Sequence, residues 1–220
     1  ITLPSSWATA SEQLPDEALS TIPGSLYVTN RPSQKLAGLT FMPANARAVV
    51  LDGSRVDINE FYYMPSLLTW ADYTRLAGGN AGDETTLAHV PFNDERLQKL
   101  VVQLNVELNQ TPWGADYTVA VPSEGEWQLL QEDGLIQPSS FEWTRDPYLV
   151  HRSLFYAHQA TLPLYFDTAM RTVRGQSVFS GTLPTDFRMG YEQDMASPTI
   201  GVRLVLVKKS VFALKEATDG

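Results

Sequence analysis

Val119-Ala120-Val121-Pro122-Ser123-Glu124-Gly125-Glu126-Trp127 holds in nine residues the change from strand to helix around which the rest of the chain is arranged. Three small apolar residues read as a strand. Ser123-Glu124-Gly125-Glu126 is a capping box, in which Ser123 and Glu126 satisfy each other's backbone donors and start a helix. Trp127 and Leu130 face the inside of that helix, and Gly134 ends it.

Upstream, Asn93 reads as the cap of a longer helix reaching about Asn109. Leu97, Leu100, Val101, Leu104 and Leu108 fall on one face of it at helical spacing. Ser66 reads as the cap of a helix over 67–77, stopped by Gly78-Gly79. Earlier still, Ala48-Val49-Val50-Leu51, the turn Asp52-Gly53 and the alternating run 55–62 read as a hairpin with one buried face. Residues 1–39 hold four Pro and many Ser and Thr, and read as an irregular arm with one short helix over 11–19. Downstream, aromatic residues are scattered among Pro, Ser and Asp, followed by strands over 171–179 and 200–208 with a polar loop, 180–198, between them. The expected fold is α+β: a small, mostly antiparallel sheet, about three helices and long ordered loops. One domain over 40–210 follows the arm, and 211–220 form a tail.

Composition removes whole classes of chemistry. The chain has 220 residues, 43% of them hydrophobic, which excludes a disordered polymer. It has no Cys, so thiol nucleophiles, disulfides and thiolate-held metals are excluded. No apolar run approaches the ~20 residues of a membrane span. With 16 basic against 25 acidic residues and a net charge of −9, the surface repels phosphate backbones, so nucleic acid is not an expected partner. The chain opens on Ile1, without an initiator Met or a signal peptide, as a processed or trimmed product would.

Seven further segments, in order, carry a resemblance. Val56-Asp57-Ile58-Asn59-Glu60-Phe61 leads to Leu68-Thr69-Trp70-Ala71-Asp72-Tyr73. His89-Val90-Pro91-Phe92-Asn93-Asp94 leads to the long helix. The Val119–Trp127 segment is followed by Glu142-Trp143-Thr144-Arg145-Asp146, then Arg174-Gly175-Gln176-Ser177-Val178. Phe187-Arg188 and Ile200-Gly201-Val202-Arg203-Leu204 close the set. Over about residues 45–208 the chain resembles the formylglycine-generating enzyme, or sulfatase-modifying-factor, family, whose fold is a variant of the C-type lectin fold. The resemblance implies that fold, and a periplasmic or extracellular setting. It does not bring the chemistry with it, because one fold carries many functions. The family's oxidases hold copper with paired cysteines, which this chain lacks. An iron-binding branch uses three histidines, and this chain has only His89, His151 and His158, more readily read as separate surface or hydrogen-bonded residues.

The implied function is therefore a non-catalytic binding or regulatory module, without an obligatory cofactor, that recognises a protein, peptide or glycan. The alternative is a cysteine-independent enzyme resembling the siderophore-maturation branch, with Glu142, Arg174 and a Tyr as acid–base groups. Trp143, Tyr148, Tyr156 and Tyr165 would line a ligand cleft, since aromatic faces bind with little entropy loss; for Trp143 a place in the core is the competing reading. Arg174, Arg188 and Arg203 would come together either as a fork for a carboxylate or peptide backbone, or as buried partners of Glu124, Glu126 and Glu142. Asp186, Glu192 and Asp194 could hold Ca²⁺, with a solvated acidic loop as the competing reading. No Ser-His-Asp triad is readable, and Gly175-Gln176-Ser177 lacks the second Gly of a nucleophile elbow.

Overall fold

The computed structural model describes residues 31–79, 86–148, 169–176, 180, 183–184 and 186–209. Five strands come first: β1 (Gln34–Leu36), β2 (Leu39–Ala44), β3 (Arg47–Leu51), β4 (Ser54–Ile58) and β5 (Phe61–Tyr63). Helices α1 (Trp70–Ala77) and α2 (Glu95–Leu108) follow, then a 3-10 turn (Pro112–Ala115), β6 (Tyr117–Ala120) and α3 (Glu124–Glu132). The last strands are β7 (Phe141–Pro147), β8 (Met170–Gly175), β9 (Arg188–Glu192), β10 (Ile200–Gly201) and β11 (Val205–Lys208).

Three sheets result among the described residues. The largest is antiparallel, in the order β1-β2-β5-β11-β6, so the last described strand is inserted between two earlier ones. A second sheet has the order β10-β7-β8-β9, with β10 parallel to β7 and the other pairs antiparallel. The β3–β4 hairpin stands apart, and its turn residues Asp52 and Gly53 both take positive φ, as a tight hairpin turn requires.

The largest sheet is covered on both faces. Tyr62 and Leu206 point into a core shared with α1, α2 and the second sheet. Phe61, Tyr63, Val205 and Val207 point the other way, into a second core made with α3 and the β3–β4 hairpin. That is why 61–63 and 205–207 are unbroken apolar runs rather than alternating ones. The run read as one strand over 55–62 divides at Asn59-Glu60. Its first part alternates in burial within the hairpin, and its second joins the large sheet.

The helices begin close to the expected places, with two caps displaced. Thr69, not Ser66, caps α1, accepting from the Asp72 amide at 3.1 Å. Asp94, not Asn93, caps α2, accepting from the amides of Arg96 and Leu97. α3 carries the expected capping box, with Ser123 and Glu126 bonded in both directions. At Gly125 a Cβ would stand 2.5 Å from Ile58 Cδ1, so a larger residue there would displace the end of that side chain. Residues 34–39, read as part of the irregular arm, form β1 and the start of the large sheet. Residues 188–192, read as loop, form an edge strand. The helix expected over 11–19 lies outside the described residues.

α2 also closes one sheet edge. The Asn105 side chain accepts from the Val119 amide at 2.7 Å and donates to the Val119 carbonyl at 3.1 Å, standing in for a neighbouring strand. Its carboxamide also accepts from the Thr118 hydroxyl at 2.8 Å. Asn105→Ala leaves both Val119 groups unpaired and should cost about 2–3 kcal/mol, measured by urea denaturation. A second measurement concerns Asp94. Burial works to raise its pKa, but bonds from the Tyr73 hydroxyl (2.5 Å) and the Leu97 and Arg96 amides outweigh it and hold the carboxyl below its ordinary value. Its contribution is thus full above the unfolded pKa of about 3.9 and is lost as pH falls through the lower folded value. Asp94→Asn should flatten the acid limb of the stability–pH curve.

Candidate functional site

Three glutamates taken into the interior organise the second half of the chain. Glu142, on β7, is fully buried and meets Arg203 through two bonds of 2.8 Å. Arg203 also donates to the carbonyls of Met64 and Pro65, so this pair ties the second sheet to the chain leaving β5. Glu126 meets Arg145 in a second two-pronged pair at 2.6 and 2.7 Å, and the same guanidinium donates to the Val121 carbonyl at 2.9 Å. Burial works to lower the pKa of Arg145, but the Glu126 carboxylate more than offsets it.

Glu124, the third, is also fully buried and receives two guanidiniums. Arg188 binds it through two bonds of 2.9 and 3.1 Å, and Arg174 approaches to 3.5 Å while donating to Gln128. The backbone N–H of Glu124 is bonded to Asp146 at 2.6 Å. Arg174 and Arg188 face each other across the β8–β9 ladder, so strand register sets their spacing. Arg174 lies 4.9 Å over the Trp127 ring and is itself 1% exposed.

Arg188 is the member of this group that reaches the surface. Its guanidinium stacks 5.0 Å over the ring of Tyr148, which is half-buried. Tyr148 crosses from the end of β7 to lie against Gly190, where a Cβ would come within 2.4 Å of the ring. Only glycine lets the aromatic ring settle on β9. Beside this stack is a hollow of about 80 Å³ lined by Val50, Asp52, Gln128, Arg174, Asp186 and Arg188. It has room for one functional group of a ligand rather than for a drug-sized molecule.

Several expected site residues are placed elsewhere. Trp143 is 0% exposed; its indole N–H donates to the Val90 carbonyl, and Phe92 and Tyr191 pack edge-on against its ring. It is a core residue and offers no face to a ligand. Arg203 and Arg174 are buried in ion pairs, so the three arginines do not form an open fork. Glu142 and Arg174, the expected acid–base groups, are buried in ion pairs with Arg203 and Glu124. Asp186 and Glu192 stand beyond and at opposite ends of β9, which at about 3.3 Å per residue separates them by roughly 15–20 Å. Asp194 turns back to Asn93, and no cluster of three metal-ligating side chains occurs among the described residues. These three carboxylates therefore do not form the expected calcium cage. His89 Nδ1 lies 3.0 Å from the Ile200 carbonyl. Tyr156, Tyr165, His151 and His158 lie outside the described residues.

Arg145, Asp146 and Gln128 were not among the expected site residues. Arg145 stands where β7 passes from four fully buried residues to partly buried ones, and no alternation in the strand marks it. Nothing local marks Gln128 as the acceptor for Arg174.

Comparison with known proteins bears on the fold alone. No family model matches the chain, and no curated protein matches it. Among solved structures, Treponema denticola variable protein 1 superposes with a TM-score of 0.52 over 79% of this chain and 98% of that one, at 11% sequence identity. The chain shares a mixed α+β fold with that protein. At this identity the likeness concerns the path of the backbone, not the side chains of the site.

Breaking the Glu142–Arg203 pair should be severe. Arg203→Met strands a buried carboxylate and should cost about 3–5 kcal/mol. Adding Glu142→Leu to it should recover a large part of the loss in chemical denaturation, because the double variant leaves no unpaired charge.

Proposed function

We propose that this chain is a non-catalytic binding or regulatory module, whose lectin-like scaffold recognises a protein, peptide or glycan through the surface around Tyr148 and Arg188. One observation carries the reading: among the described residues Glu142, Arg174 and Arg203 are buried and paired, while the Arg188–Tyr148 stack is held half-exposed by the fully buried Glu124 carboxylate. Preorganisation of that kind serves recognition, because a guanidinium fixed at two points loses little freedom when a ligand arrives.

The resemblance to the formylglycine-generating enzymes supports the same reading. On that resemblance, a chain without cysteine lacks the thiols with which those enzymes hold copper.

Wild-type chain and two variants, Tyr148→Ser and Arg188→Gln, would be tested against a glycan array and a phage-displayed library of random peptides. Retained ligands should bind both variants at least about tenfold more weakly; Tyr148→Ser should keep a thermal midpoint close to wild type, whereas Arg188→Gln, which takes both short bonds from the buried Glu124 carboxylate, should lower it and is compared at a temperature where it remains folded. Equal binding by the variants, or no retained ligand of either kind, would refute the assignment.

A further inference from the structure

A cleft lies between α2 and β6. The Asn105 carboxamide bridges the two elements, from the Val101 carbonyl on the helix to the Val119 backbone on the strand. Beside that bridge a hollow of about 400 Å³ opens along the strand. Clefts of that size hold small ligands. Val119 and Val121 are buried, and Phe92 and Val101 are half-buried against the same core, so the lining is apolar along most of its length. From Thr118 to Val121, at about 3.3 Å per residue, it runs roughly 10 Å.

The charged groups that line this cleft are of one sign. Arg145 and Lys209 border it, and no Asp or Glu does, in a chain with 25 acidic against 16 basic residues. The hollow beside Arg188 differs: it carries Asp52 and Asp186, and the two share no lining residue.

The two cations are not equivalent. Arg145 stands at the Val121 end, where both oxygens of Glu126 already balance its charge. Lys209 stands at the Thr118 end, one residue past the Lys208–Tyr117 pair of the β11–β6 ladder. It is exposed, and its ammonium donates to the Gly114 carbonyl at 2.6 Å and to the Asn109 side chain at 3.0 Å. Both acceptors are neutral oxygens, and among the described residues no carboxylate forms an ion pair with it. Asp116 meets Lys209 through its main-chain oxygen. Asn109, the C-cap of α2, brings only the partial negative charge of a helix end against a full positive one. An ammonium has three N–H groups, so two hold this one in place and one is left for a ligand.

We infer that this cleft binds a small amphiphilic carboxylate. Its apolar body lies along Val101, Val119 and Val121, and its anionic end pairs with Lys209. Burial of the body supplies affinity, and a charge-assisted bond from an ammonium already held in place sets the ligand's direction. The site is separate from the surface around Tyr148 and Arg188 and does not depend on what that surface recognises.

The test titrates the intact chain with octanoate, octanol and octylamine, followed by methyl and amide NMR. Octanoate should shift the methyl signals of Val101, Val119 and Val121 saturably, and should bind at least about tenfold more tightly than octanol or octylamine. Lys209→Gln should weaken octanoate about tenfold, while Lys209→Arg, which keeps the charge, should retain most of the affinity. Val101→Ser should weaken octanoate and octanol alike, and Tyr148→Ser should change neither. Equal affinity for the three probes, equal octanoate binding by the two Lys209 variants, shifts confined to other residues, or no saturable binding would each overturn the proposal. So would valine methyl signals that move on dilution of the free chain, which would give the cleft to a second copy. Overhauser contacts from those methyls to residues beyond 209 would give it to the chain's own continuation and overturn the proposal too.

Discussion

Arg203 carries a full charge into the interior, and the rest of the structure is arranged so that it can. Its guanidinium meets both oxygens of Glu142 and the carbonyls of Met64 and Pro65. Removing two ions from water is costly, and the expense is offset only when the partners are close and the remaining donors are used. Meeting that condition places β7, the exit of β5 and the 202–204 segment around one point. The backbone bonds from Met64 to Leu204 and from Leu68 to Val202 run alongside it, bringing β11 into the gap between β5 and β6. The two sheets are thus joined by an electrostatic contact at a place where apolar packing alone would fix no unique register.

Glu124 repeats the device nearer the surface with a different outcome. A carboxylate at the start of α3 receives one wholly buried guanidinium and one that reaches the surface. The buried member, Arg174, is spent on structure. The outer member, Arg188, is held by the same carboxylate and stacked on Tyr148, so its position is defined before any ligand arrives. The helix start, the strand register and the surface stack are one mechanical unit. It sits on β9, at one end of the strand order of the second sheet.

Much of this architecture was legible in the residues. The apolar stripe of α2, the capping box of α3 and the Asp52-Gly53 turn are local devices, and each forms where its residues require. The errors share a cause. Asp186 and Glu192 are close in sequence but stand at the two ends of an extended strand, where nearness in number becomes distance in space. Trp143 has the composition of a ligand platform, but its indole N–H and both ring flanks are satisfied by residues far away in the chain. β9 itself was hidden because Arg188-Met189-Gly190-Tyr191 has too few β-branched residues to announce a strand; its partner β8 and the core under Met189 and Tyr191 decide its state.

The sequence by itself determined the α+β class, the three helices with their approximate starts, the absence of thiol chemistry and the supply of glutamates and arginines for buried pairing. Only the tertiary structure decided which carboxylate meets which guanidinium, and therefore which arginine remains at the surface. Helix caps and turns are settled by bonds spanning three or four residues, so their information is local. An ion pair such as Glu142–Arg203 joins groups 61 residues apart, and its partner is selected by the sheets that enclose it.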